Sequence, residues 1–104
     1  MRITIRNNAQ LSNKFLNFIK WKLNSMGRKF QDLIYVEVFL NSEGQSPRTF
    51  ISTLKLGVRG HDIVLQNKSE NLGELLQKST QSVHRYLAKH KTKKRNEIFH
   101  KKIS

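Results

Sequence analysis

Between two stretches of helical periodicity lies Leu33-Ile34-Tyr35-Val36-Glu37-Val38-Phe39-Leu40, eight residues of which Glu37 alone carries a charge. β-Branched and aromatic side chains suit a pleated, packed surface. With Ile34, Val36, Val38 and Leu40 on one face and Leu33, Tyr35, Glu37 and Phe39 on the other, the run reads as a central strand. A central strand demands neighbours on both sides and cover on at least one face. The rest of the chain must supply them.

It does so in a definite order. Ile3 and Ile5 alternate with Arg2, Thr4 and Arg6 up to the turn-prone pair Asn7-Asn8, a half-buried strand. Ser12 then caps a helix, and Leu11, just before it, with Phe15, Phe18, Ile19, Leu23 and Met26 recur at three- and four-residue steps, with Gly27 as its stop. After the central strand, the polar loop from Asn41 to Pro47 leads to Phe50, Ser52, Leu54, Leu56 and Val58, alternating with Ile51, Thr53 and Lys55, so a hairpin is expected. Gly57 to Asp62 turns the chain again, with Gly60 suited to positive φ, and Ile63 to Gln66 forms a short fourth strand. Asn71 opens the last helix with Glu74 three residues on, and Leu72, Leu76, Val83 and Leu87 make its apolar stripe. The class is α+β, in the order β-α-β-β-β-α: a four-stranded sheet, read as an antiparallel meander, with both helices on one face. At 104 residues the chain is one domain. Residues 1–94 form the folded unit and 95–104 a basic tail, with neither an internal repeat nor a Gly/Ser linker.

Charge bears on function. Twenty Lys and Arg against seven Asp and Glu leave a formal net charge of +13, beyond what solubility requires. The excess sits at the ends. Residues 1–31 hold seven basic residues and no acid, residues 32–84 hold five basic and six acidic, and residues 85–104 hold eight basic and one acid, Glu97. A localised field of this kind seeks a polyanion, and the two basic ends must meet on one face if they are to act together. On the last helix, Lys78, Ser82, Arg85, Lys89 and Lys93 fall on one stripe, widened by Lys91, Lys94 and Arg95. A row of cations spaced by about one helical turn can follow a nucleic-acid backbone. A merely solvated face usually mixes signs; here the repulsion is uncompensated.

The segment Arg85-Tyr86-Leu87-Ala88-Lys89-His90-Lys91-Thr92-Lys93, after an apolar helix capped at Asn71, resembles the last helix of the ribosome hibernation promoting factor and ribosome-associated inhibitor family. The opening strand before Asn7-Asn8, the helix with Phe18 and Lys22, and Phe30 ahead of a Val-rich strand look like that family as well. The likeness covers roughly residues 1 to 94. It implies a domain shaped like double-stranded-RNA-binding domains, with helices side by side on one sheet face. It also implies a ribosome-binding factor that sits on the small subunit, where mRNA and the A- and P-site tRNAs bind, and silences translation in resting cells. By position, the rRNA-binding surface would comprise Lys22, Arg85, Lys89, Lys91, Lys93 and Lys94; charge alone adds Arg28 and Lys29, the helical stripe adds Lys78, and His90 is expected to touch phosphate or water. Trp21 replaces what is usually a small or polar position, and the tail from Arg95 has no clear counterpart. No counterpart of the second domain of long family members follows, so the resemblance is to the short form. The expected partner is the small ribosomal subunit, with a small ribosome-dimerising protein as a further one, and the free protein is expected to be a monomer.

Other chemistries find little support. The absence of Cys removes disulfide scaffolds, zinc ribbons and thiol nucleophiles and suits a reducing cytoplasm. No apolar run approaches the ~18 residues of a membrane span, and the opening residues lack the apolar stretch of a signal peptide. His61, His84, His90 and His100 show no ligand-like spacing, so neither metal nor cofactor is expected. His61-Asp62 lacks a nucleophile or second acid, so no enzymatic activity is expected. Gly57-Val58-Arg59-Gly60 matches the GxxG of KH domains but lies between strands, hence a turn. Trp21 and Tyr86 are candidates for stacking on unpaired bases. Two other functions remain open: a free-standing double-stranded-RNA-binding module, and a regulator that binds a protein such as a sigma factor through a sheet surface lined by Leu33, Tyr35 and Phe39.

Overall fold

The computed structural model describes the backbone of residues 1–103 and the side chains of residues 1–90. Its elements are β1 (Arg2–Asn7), α1 (Asn13–Lys29), β2 (Leu33–Glu43), β3 (Thr49–Val58), β4 (His61–Ser69) and α2 (Leu72–Ile103). The strands form one sheet in the order β1-β2-β3-β4. β2, β3 and β4 are a meander of antiparallel hairpins, but β1 runs parallel to β2, with Ile3 beside Val36 and Ile5 beside Val38. This departs from the all-antiparallel expectation. The cause is α1: a helical connection carries the chain back to the end where it started, and the next adjacent strand must then run in the same direction. α1 lies over β1 and β2, α2 lies over β3 and β4, and the helices touch each other. Both therefore cover one sheet face, as the two amphipathic stripes require.

The core fills the space beneath them. Val36, Val38 and Leu40 from β2 and Leu54 and Leu56 from β3 meet Ile19 and Leu23 of α1 and Leu75, Val83 and Leu87 of α2, all buried. Residues 75, 79, 83 and 87 make a single four-residue stripe whose one polar member, Ser79, is hydrogen-bonded to the buried Ser52 of β3, Oγ to Oγ at 2.5 Å. Leu75 thus occupies the core position, while Leu76 packs at the core's margin and Leu72 is only partly buried. In α1 the stripe centres on Ile19 and Leu23, and Phe18 lies outside it, 45% exposed. Ser12 caps α1 as expected, its Oγ accepting from the Phe15 amide. Asn71 Oδ1 accepts from the Glu74 amide at 3.0 Å at the start of α2.

Three local departures have clear causes. The β2–β3 register shifts between Leu33 and Tyr35. This bulge turns Leu33 into the core and leaves Ile34 53% exposed, the reverse of strict alternation. α1 continues past Gly27 to Lys29; Gly27 is a site of close approach, where a Cβ would lie 2.9 Å from Met1 Sδ. β4 extends to Ser69, pairing its polar end with Phe50 to Thr53 of β3. Gly60 has φ +98° in the turn, as anticipated. On the open sheet face, Tyr35 lies over Gly57, its partner across the ladder, where any Cβ would stand 2.0 Å from the ring. Partial burial and then a hydrogen bond to Asp62 hold the Tyr35 phenol above its ordinary pKa.

Candidate nucleic-acid interface

α1 and α2 lie side by side, and the trough between them is open to solvent. Its walls are Lys22 and Met26 from α1 and Thr80, Gln81, His84, Arg85, Ala88 and Lys89 from α2, enclosing about 550 Å³. The small Ala88 and the Met26 thioether provide an apolar element, and Lys22, Arg85 and Lys89 provide three cations. No carboxylate is among these lining residues. Close by, Lys29 Nζ is 3.1 Å from His84 Nε2, so the end of α1 is drawn to the same helix. Cations distant in sequence therefore converge on one face, as the two-ended charge distribution needs if it is to form one surface. Such a trough offers long flexible ammonium and guanidinium groups to phosphates above an apolar base.

The other expected residues are distributed as follows. Arg28 is exposed at the end of α1, beside Lys29 but outside the trough lining. Lys78 lies on the shoulder of α2, paired with Glu74 at 2.9 Å and reaching the Lys68 carbonyl oxygen of β4 at 3.5 Å. The hydrogen bond and charge of Lys78 hold the Glu74 carboxyl below its ordinary pKa. Ser82, from the same sequence stripe, also faces β4, 3.2 Å from Asn67 Oδ1. The side chains of Lys91, Lys93 and Lys94 lie outside the described residues. Arg2 and Arg6 belong to β1, and Arg6 sits over the Phe39 ring of the open sheet face, 5.8 Å from its centroid.

His90 points away from the trough. Its Nε2 is 3.4 Å from Asp32 Oδ2, and its ring stacks on Tyr86 with centroids 6.3 Å apart. His61 joins them, hydrogen-bonded to the Tyr86 hydroxyl and 5.4 Å from His90 between ring centroids. The histidines are thus not all dispersed: β4 begins where the ninetieth residue of the chain passes, and a sequence separation hides that meeting. Asp32 also faces Arg59, Oδ1 to Nε at 3.9 Å, so this group ties the α1–β2 connection to the β3–β4 turn and to α2. Among the described residues no three His, Cys, Asp or Glu converge to hold a metal ion. Tyr86, engaged here and half-buried, is not presented for base stacking. Leu33 is in the core and cannot line a protein-binding sheet surface, though Tyr35 and Phe39 remain on the open face.

Five lining residues escaped the sequence reading: Met26, Thr80, Gln81, His84 and Ala88. The signal existed in part, because Thr80, Gln81, His84, Arg85 and Ala88 share one helical face. What selects that face is the position of α1, which charge counting does not reveal.

No protein-family model matches the chain, and no curated protein matches it in sequence. Solved structures do. A ribosomal subunit interface protein from Coxiella burnetii superposes with a TM-score of 0.75 at 14% identity, over 88% of this chain and 99% of that one. The N-terminal domain of Thermus thermophilus Protein Y superposes with a TM-score of 0.67 at 13% identity, over 86% of this chain and 94% of that domain. The likeness runs through nearly the whole of both neighbours, and the β-α-β-β-β-α fold is common to all three.

Proposed function

We propose that this chain is a non-catalytic ribosome-binding factor. It occupies the mRNA and tRNA channel of the small subunit and silences translation by excluding both ligands. The observation that carries this reading is the trough between α1 and α2, where Lys22, Arg85 and Lys89 converge with no acid among the lining residues. Charge alone would suit any polyanion. The fold narrows the choice, because one solved neighbour is described as a ribosomal subunit interface protein. The work required is electrostatic and steric: phosphate contacts hold the domain in place, and its volume keeps other ligands out. The setting is the cytoplasm of resting cells. A small ribosome-dimerising protein is a further candidate partner. No helix among the described residues is long and apolar enough to cross a membrane.

The test is co-sedimentation with purified small subunits at moderate salt, followed by competition with mRNA and initiator tRNA. Binding that mRNA and tRNA displace supports the reading. Failure to sediment, or binding that neither ligand affects, ends it. Gel shifts on naked duplex RNA, with small subunits as competitor, address the free-standing duplex-binding alternative: retention on the duplex in the presence of subunits would favour that function instead.

A further inference from the structure

Two large aromatic side chains on α1 remain open to water. Trp21 is 57% exposed and Phe18 is 45% exposed, and their rings lie 5.9 Å apart with planes inclined by 32°. Isolated exposed apolar residues are ordinary, but a contiguous aromatic pair is a candidate contact site. Lys22 adjoins both rings, its Nζ 5.6 Å from the Trp21 centroid and 5.7 Å from that of Phe18, and the same side chain lines the trough. The aromatic pair is therefore the outward continuation of the cationic surface.

We propose that Trp21, supported by Phe18, is a stacking platform for an unpaired RNA base, with Lys22 at the junction between the base and the phosphates held in the trough. This rests on the RNA-binding reading above and adds the class of nucleotide recognised. The surroundings select the occupant. Residues 1–31 contain no acid, and Lys14, Trp21 and Arg28 recur at seven-residue intervals, which places all three on one helix face. At ~1.5 Å rise per residue, a cation stands about 10 Å to either side of the indole along the axis. An occupant must offer a flat ring and flanking negative charge. An unpaired nucleotide within a strand offers both, because every base has a π-face and the backbone is anionic. A duplex hides its bases, so the platform favours a loop, bulge or single-stranded end. This also gives Arg28 a role, although it lies outside the trough.

Trp21 is the chain's single tryptophan, so its fluorescence reports on this site alone. Titration with a single-stranded adenosine oligonucleotide should quench it, and inorganic polyphosphate of matched charge should not. Trp21→Ala should weaken oligonucleotide binding by about 5- to 150-fold, the range that loss of one stacked base implies. The salt dependence should stay unchanged, and Trp21→Phe should retain most of the affinity. Equal quenching by polyphosphate, or unaltered affinity in Trp21→Ala, overturns the proposal. Quenching by poly-glutamate as strong as by the oligonucleotide overturns it in favour of an acidic protein partner. Small-subunit sedimentation separates the two readings. Wild type that sediments without involving Trp21 refutes the platform alone, whereas oligonucleotide quenching in a protein that ignores ribosomes refutes the ribosomal role alone.

Discussion

Neutralising the trough on its α2 side gives the sharpest test of how the surface works. Arg85 and Lys89 are both exposed, and they share the trough with Lys22 without an intervening carboxylate. The double variant Arg85→Gln, Lys89→Gln removes two cations and buries nothing new. Each phosphate contact contributes about 0.7 to 0.9 to the slope of log K against log salt. Losing two should therefore flatten that slope by about 1.4 to 1.8. By the same relation, at ~0.1 M salt the affinity for small subunits should fall about 25- to 60-fold against a 1 M reference. Stability should stay within ~0.5 kcal/mol of wild type, as for other surface substitutions. The assay is binding to labelled small subunits between 50 and 200 mM salt, with urea denaturation of each protein alongside. An unchanged slope in a folded variant would show that Arg85 and Lys89 do not meet phosphate, and the trough would lose its role. A loss of affinity with unchanged slope would also refute the counterion argument.

Four other outcomes follow from the packing. Ser79→Ala should cost about 1–3 kcal/mol in urea denaturation, because it leaves the buried Ser52 hydroxyl without its 2.5 Å partner; Ser52→Ala combined with Ser79→Ala should be less destabilised than the single change. Leu75→Ala should cost about 2–5 kcal/mol, since the side chain is 1% exposed, whereas the more accessible Leu72→Ala should cost less. Gly57→Ala should destabilise by about 1–3 kcal/mol through its collision with Tyr35, and by much less in a Tyr35→Ala background; a double-mutant cycle measures the coupling. Glu74 should titrate below ordinary glutamate by NMR, and Lys78→Gln should restore it. Because the folded value is lowered, this contribution to stability is present above the unfolded pKa and disappears as pH falls through the folded one.

Where local pattern meets one structural requirement, the sequence was a reliable guide. β2 and β3 each bury one alternating set, so Val36, Val38, Leu40, Leu54 and Leu56 were legible as core. Ser12 and Asn71 cap helices through short-range bonds that their chemistry dictates. Legibility failed where a second chain segment decides. Leu72, Leu75 and Leu76 are all apolar, and only the underlying sheet shows that Leu75 leads the stripe. The bulge at Leu33 is a register event between two strands and leaves no mark in composition. β4 ends in Gln66-Asn67-Lys68-Ser69, too polar to read as strand, yet a sheet margin with one wet side accepts it. For the candidate site, counting charges located the cationic ends, and the helix period placed Arg85 and Lys89 together. Neither could show that Lys22 stands across from them, that Lys78 leans toward β4, or that His90 turns to Asp32.

The parallel pairing of β1 imposes an order of events on a chain made from its N-terminus. Arg2 finds its ladder partner only at Tyr35, so the first strand and all of α1 exist as an acid-free polycation before any sheet can receive them. Until β2 is made, β1 has no ladder to join, and the arrival of β2 both completes that ladder and gives the apolar side of α1 a sheet to cover.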